Sequence, residues 1–183
     1  WDLDKQSTSA ISENEAAEKF NLFFTTSVQR RLRSDVTAGT SLSGGLDSSS
    51  IIAASSTFHN SANSYKAFTA VFPGFEKDET PYSKQIAEKF QLQQFTVQPN
   101  AESFITDFEK LCYHQEQPFN SSSVYAQYKV MELAKQNNVT VLLDGQGADE
   151  TLAGYTRYVH WYLQEQIAQF KFGFANRERT LFE

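Results

Sequence analysis

The sequence holds a single cysteine, Cys112, among 183 residues. No internal disulfide can form, which suits a reducing compartment and predicts a cytoplasmic setting. Histidine is also scarce: His59, His114 and His160 stand far apart, without the spacing of metal ligands. Basic residues are outnumbered. Lys and Arg total 16 against 22 Asp and Glu, and the net charge of −6 has the wrong sign for a nucleic-acid-binding face. No apolar run approaches the roughly 20 residues of a membrane span. The opening Trp1-Asp2-Leu3-Asp4 lacks the basic start and apolar stretch of a secretory leader, so the sequon Asn138-Val139-Thr140 is read as incidental. Neither nucleic acid nor a membrane is an expected partner.

What is present suits one domain with a sizeable core: hydrophobic content of 40% and 16 phenylalanines. The stretch Ser41-Leu42-Ser43-Gly44-Gly45-Leu46-Asp47-Ser48-Ser49-Ser50 organises the rest. It follows Val36 to Leu42, which reads as a buried strand, and leads into a helix from Leu46 to about Phe58. Two glycines can take positive φ and let an anion approach the backbone. The first N–H groups of the helix have no internal partners, and its dipole is positive there. Ser43, Ser48 and Ser49 add hydroxyl donors. No Gly-Lys-Ser/Thr follows, so this is not a nucleoside-triphosphate P-loop of the usual kind. A plain Ser-capped helix after a flexible turn would use the same residue types.

The chain in order predicts alternating helices and strands. Residues 1–11 are a polar lead-in. Ser12 and Glu15 make a capping box for a helix over 12–34, with Ala16, Phe20, Phe23 or Phe24, Val28 and Leu32 on one face. Arg30, Arg31 and Arg33 at its end either complement the dipole or contact phosphate. Ser64 to Phe72 reads as a second strand. Thr80 is expected as a helix cap, with Pro81 in the first turn. Gln94 to Val97 reads as a third strand, and Asn100 as the cap of a helix ending before Pro118. A further helix from Val124 to about Gln136 precedes the strand Val139 to Leu143. This order predicts an α/β fold, a parallel sheet sandwiched by helices, with ligands at the carboxyl ends of the strands.

A second glycine loop, Asp144-Gly145-Gln146-Gly147-Ala148-Asp149-Glu150, follows that last strand. It repeats strand, glycine turn and helix start, and adds three carboxylates. A triphosphate repels bare carboxylates, so acids beside it usually act through Mg²⁺. Asp47 and Asp149 each follow a glycine turn closely and could converge on one ion. Alternatively, Asp149 and Glu150 simply favour a helix N-terminus as anions.

Ser-Gly-Gly-Leu-Asp-Ser resembles the pyrophosphate loop of the ATP pyrophosphatases. Together with Asp-Gly-Gln-Gly-Ala-Asp-Glu and Gly154-Tyr155 behind it, the chain resembles the synthetase domain of the glutamine-dependent asparagine synthetases. Supporting matches are Arg31-Leu32-Arg33-Ser34-Asp35-Val36, the Asp78-Glu79 stretch, Glu116-Gln117-Pro118 and the opening Trp1-Asp2-Leu3-Asp4. The resemblance implies an adenine-nucleotide alpha-hydrolase-like fold and the cofactors ATP and Mg²⁺. It implies backbone contacts to adenine from Leu42 and Ala70, and nucleotide contacts from Asp144 and Gly145. Ser43, Gly44, Gly45, Asp47 and Ser48 match the pyrophosphate loop. Asp47 and Asp149 match the metal aspartates, and Glu150 joins them as a catalytic candidate. The implied reaction adenylates a carboxylate, aspartate in the family, with release of pyrophosphate; ammonia from glutamine then displaces AMP to give an amide.

The chain departs from the family in three respects. Gln146 stands where several members carry Glu, and a neutral amide cannot act as a base, so a related amidotransferase or cyclase acting on another carboxylate is a second reading. A nucleotide-binding module without catalysis is a third. The glutaminase domain that supplies ammonia is absent, and the family's domain continues past Tyr155 to a pyrophosphate-binding lysine. The chain is therefore expected to be a fragment: a nucleotide-binding core over 36–150, then a truncated helical tail over 151–183 whose apolar residues are exposed or self-associate.

Overall fold

The computed structural model describes residues 10–58, 65–76 and 78–173. Most of the predicted lead-in, the first residue of the predicted second strand (Ser64) and the tail from Phe174 onward lie outside the described residues. In chain order the elements are α1 (Glu13–Arg31), β1 (Ala38–Ser41), α2 (Leu46–Ser56), β2 (Lys66–Ala70), α3 (Thr80–Lys89), β3 (Gln93–Val97), α4 (Ala101–Gln115), α5 (Ser123–Gln136), β4 (Val141–Leu143), α6 (Ala148–Leu152) and α7 (Thr156–Ala168). The chain separates into two compact units, one ending at Asp144 and one beginning at Gly145.

In the first unit the strands form one parallel sheet of order β3-β2-β1-β4. Thr40 in β1 faces Ala67 in β2 and Leu143 in β4. The chain lays β2 and β3 on one side of β1, then returns to place β4 on the other. The strand order thus reverses between β1 and β4, the position where open α/β sheets bind ligands. Alternation along β2 builds both layers of the core. Ala67 joins Leu42, Ile52 and Ala87 on the face of α2 and α3, whereas its neighbour Phe68 joins Val130, Ala134 and Val139 on the face of α5. Both Ala67 and Phe68 are fully buried. The Thr40 hydroxyl ties β1 to β4 by donating to the Leu143 carbonyl at 2.9 Å. The Tyr65 hydroxyl donates to the Gly39 carbonyl at 2.8 Å, and burial pushes this phenol far above its ordinary pKa.

Several expectations need correction. The α1 stripe is only partly used: Val28 is buried and Phe24 and Leu32 are half-buried, but Ala16, Phe20 and Phe23 are exposed. Thr80 does not cap α3; the helix begins at Thr80, and Asp78 Oδ1 accepts both its N–H and its hydroxyl. The fourth strand starts at Val141 instead of Val139. Asn138 is left-handed (φ 58°), and the Val139 N–H closes the end of α5 on the Ala134 carbonyl. Asn100 caps α4 as expected, in a reciprocal box with Ser103.

In the second unit, α6 is little more than one turn and ends at left-handed Ala153. α7 carries Tyr158 and Trp161. The Arg157 guanidinium lies over the Tyr155 ring at 4.6 Å and within 6.0 Å of the Tyr158 and Trp161 rings. Leu152, Trp161, Ile167, Phe170 and Phe172 are all exposed.

Candidate functional site

The loop between β1 and α2 is shaped by backbone before it is decorated by side chains. Gly44 has φ +95°, a conformation that L side chains rarely adopt. A Cβ there would also lie 2.7 Å from the Ser83 backbone nitrogen and 2.9 Å from Tyr82 Cβ, so the first turn of α3 fills the space beside the loop. Gly45 is the N-cap of α2 and supplies no side-chain cap. The N–H groups of Leu46, Asp47 and Ser48 are therefore left at the positive end of the helix without intrahelical partners. Ser43 Oγ accepts the Gly45 N–H at 3.1 Å and lies 3.1 Å from Ser48 Oγ, which donates to the Gly45 carbonyl. Ser48 is buried, Ser43 is exposed, and Asp47 is half-buried in the first turn of α2.

Leu42 precedes the loop with its side chain 1% exposed. Its N–H donates to the Phe68 carbonyl, and its carbonyl accepts the Thr69 hydroxyl, so a second lone pair on that oxygen remains for a ligand. Ala70 ends β2, half-buried.

Asp144 follows β4, one residue beyond the Thr40–Leu143 pairing. Its Oδ2 accepts Gln127 Nε2 at 3.0 Å, while Oδ1 is buried without a partner. Ser41 Oγ and Ser49 Oγ are likewise buried and unsatisfied. Such orphaned groups are rare in native interiors, and here they belong to the loop side of β1, to α2 and to the residue after β4. Arg30 and Arg31 line a hollow of about 660 Å³ on α1 with Leu22, Phe23, Thr26 and Ser27; its described lining includes no loop residue.

The remaining candidates belong to the second unit. Gly145 is half-buried; Gly147 (φ +89°) caps α6; Asp149 and Glu150 occupy its first turn. The Tyr155 hydroxyl donates to Glu150 Oε1 at 2.9 Å, and that bond raises the Tyr155 pKa. The Asp149 carboxylate occupies the place where a Cβ at residue 154 would lie, so Gly154 is what lets it fold back over the turn.

Among the described residues no three His, Cys, Asp or Glu side chains form a ready-made metal cage. The sequence did not single out Thr69, Ser83, Gln94 or Gln127, because their partners lie on other elements; only Asp78 stood in a stretch already noticed.

A solved structure of similar fold is the U34-tRNA thiolase NcsA from Methanococcus maripaludis, with a TM-score of 0.53 at 14% identity over 87% of this chain and 60% of that one. A putative glutamine-hydrolysing asparagine synthetase of Methanocaldococcus jannaschii is 35% identical over 140 residues, 76% of this chain and 27% of that protein. Asparagine synthetase 1 of Bacillus subtilis is 33% identical over 135 residues, 72% of this chain and 20% of that protein. Amidase chyE of Penicillium rubens is 28% identical over 173 residues, 86% of this chain and 26% of that protein. The aligned stretch is thus about a quarter of the length of these curated relatives. The asparagine synthase family model matches residues 19–182, a stretch that includes all four strands and both glycine loops: the chain belongs to the asparagine synthase family.

Proposed function

We propose that this chain is the nucleotide-binding part of an ATP-dependent, amide-forming ligase. The observation that carries the reading is the uncapped start of α2 behind the Gly44-Gly45 turn. In this reading the N–H groups of Leu46, Asp47 and Ser48, with the Ser43 and Ser48 hydroxyls, receive the β- and γ-phosphates. Leu42 and Ala70 hold adenine through backbone groups, and Asp144 and Gly145 meet the rest of the nucleotide. Asp47 and Asp149 are the proposed Mg²⁺ ligands, with Glu150 beside them. Bound Mg²⁺ supplies charge neutralisation at the phosphates.

The substrate carboxylate oxygen attacks the α-phosphorus, the bond to pyrophosphate breaks, and an acyl-adenylate forms. Ammonia then adds at the acyl carbon, a proton is lost, and AMP leaves. The loop's contribution is positioning and charge stabilisation of the leaving pyrophosphate. Ammonia delivered by a glutaminase domain elsewhere in the protein completes the scheme.

Two features favour a second acceptor: the resemblance sets Gln146 where several family members carry an acid, and amidase chyE aligns over more of this chain than either synthetase above. The acceptor in this reading is a carboxylate other than aspartate. Phosphorus NMR of the intact protein turning over ATP with candidate carboxylates tests both. AMP and pyrophosphate are expected; ADP and phosphate would overturn the adenylation, and turnover with aspartate alone would overturn the second acceptor.

A further inference from the structure

A connected set of polar side chains, Thr69, Ser83 and Gln94, runs behind the phosphate loop and is anchored on the Leu42 carbonyl. The Leu42 carbonyl, directly before Ser43, accepts Thr69 Oγ1 at 2.8 Å. Gln94 Nε2 donates to Thr69 Oγ1 at 2.9 Å and to Ser83 Oγ at 3.1 Å. Ser83 Oγ in turn donates to the Thr80 carbonyl at 3.0 Å. Leu42, Thr69 and Ser83 are each 1% exposed or less. Gln94, half-buried, is the side chain that joins the two buried hydroxyls, and satisfied hydrogen bonds in such partly dry surroundings stiffen what they join.

The outer end of the same turn is tied by Asp78. Its Oδ1 accepts the Phe72 N–H, the Thr80 N–H and the Thr80 hydroxyl. The Thr80 hydroxyl bond, the largest influence, holds the Asp78 carboxyl below the usual carboxylate range. The turn fixed from both sides is the one that abuts Gly44, through the Ser83 nitrogen, Tyr82 Cβ and the Glu79 carbonyl.

We propose that Asp78 and Gln94 are positioning residues for the phosphate loop, holding the first turn of α3 against Gly44 so that the start of α2 keeps the shape that receives pyrophosphate. This rests on the adenylating reading given above. Neither residue touches the phosphates. Asp78 works through the geometry of one oxygen, not through its charge.

Calorimetric titration of the intact protein with magnesium pyrophosphate tests this. Asp78→Ala and Gln94→Leu should each weaken binding about tenfold, the scale seen when partners that orient metal ligands are removed. Asp78→Asn keeps Oδ1 and should bind like the wild type, a rescue that a metal-ligating or charge-based role would not allow. Hydrogen exchange at the Gly45 and Ser49 amides, which donate to Ser43 Oγ and to the Gly45 carbonyl, should rise in the first two variants and not in the third. Should Gln94→Leu unfold, Thr80→Val removes one hydroxyl from the same turn and should also weaken binding. Equal affinity in Asp78→Ala, Thr80→Val and the wild type, or an Asp78→Asn as damaged as Asp78→Ala, would overturn the positioning role alone. A wild-type protein indifferent to pyrophosphate would overturn the adenylating reading with it.

Discussion

The two glycine loops read alike in sequence and are built differently. The loop after β1 leads into an eleven-residue helix and is wedged from outside by the first turn of α3. The loop after β4 leads into a five-residue helix, and a Cβ on Gly147 meets nothing within 4 Å among the described residues. The first loop gains its shape from the layers of the fold. The second holds Asp149 and Glu150 with its own neighbours, Gly154 and Tyr155. A short helix cannot hold itself, since nucleation is costly and one turn gains few bonds. The same local pattern therefore gives a turn braced by a neighbouring helix in one place and a locally trimmed acidic turn in the other.

Substitution at the two left-handed glycines breaks the comparison most sharply. Gly44→Ala combines positive φ with backbone overlap at Ser83 and should cost about 3 kcal/mol or more in chemical denaturation. Gly147→Ala carries only the conformational cost, about 1 kcal/mol. Equal costs would show that α3 does not wedge the first loop.

Next in size are the acids. Asp47→Asn should lower ATP–pyrophosphate exchange at least ~10²-fold with little change in folding, as loss of a charge-stabilising group does. Near-normal exchange would remove Asp47 from the site. Gly154→Ala displaces the Asp149 carboxylate and should reduce exchange by about tenfold, by misplacement instead of removal. An unaltered rate would mean that the folded-back position of Asp149 is irrelevant to catalysis.

The smallest expected effect lies away from both loops and serves as a control. On α4, Asp107 accepts from Lys129 Nζ at 3.1 Å and from the Tyr125 hydroxyl at 2.9 Å. The Lys129 bond, then the Tyr125 bond, lowers the Asp107 pKa. A depressed carboxyl contributes stability above its unfolded pKa and loses it as pH falls through the folded value. Acid titration of stability below about pH 4 should therefore be shallower in Asp107→Asn. Exchange activity at neutral pH should stay near the wild type in that variant; a large loss would tie the α4–α5 pair to the site.

Much of this was legible in the sequence where structure is local. Asn100 announces the cap of α4, and the aromatic and β-branched residues of Ser64 to Phe72 announce a strand. The glycine strings announce their turns. What was not legible depended on distant partners. Gln94 reads as an ordinary strand residue until Thr69 and Ser83, which lie on β2 and α3, close around it. Thr80 has the composition of a cap, but Asp78 already satisfies its N–H. Phe20 and Phe23 fall at helical spacing on α1, and spacing does not guarantee that anything covers the stripe.

The bond from Thr40 to the Leu143 carbonyl joins residues 103 positions apart. That distance sets an order of assembly. β1 can pair with β2 soon after both are made, but its other neighbour arrives only when the ribosome has passed Leu143. Closing so large a loop costs entropy before any contact rewards it, so such pairings form slowly and late. The strand that leads into the Gly44-Gly45 turn thus spends much of its synthesis with one edge bare. During that interval the nascent chain already carries the Gly44-Gly45 turn and the start of α2 without the full sheet behind them.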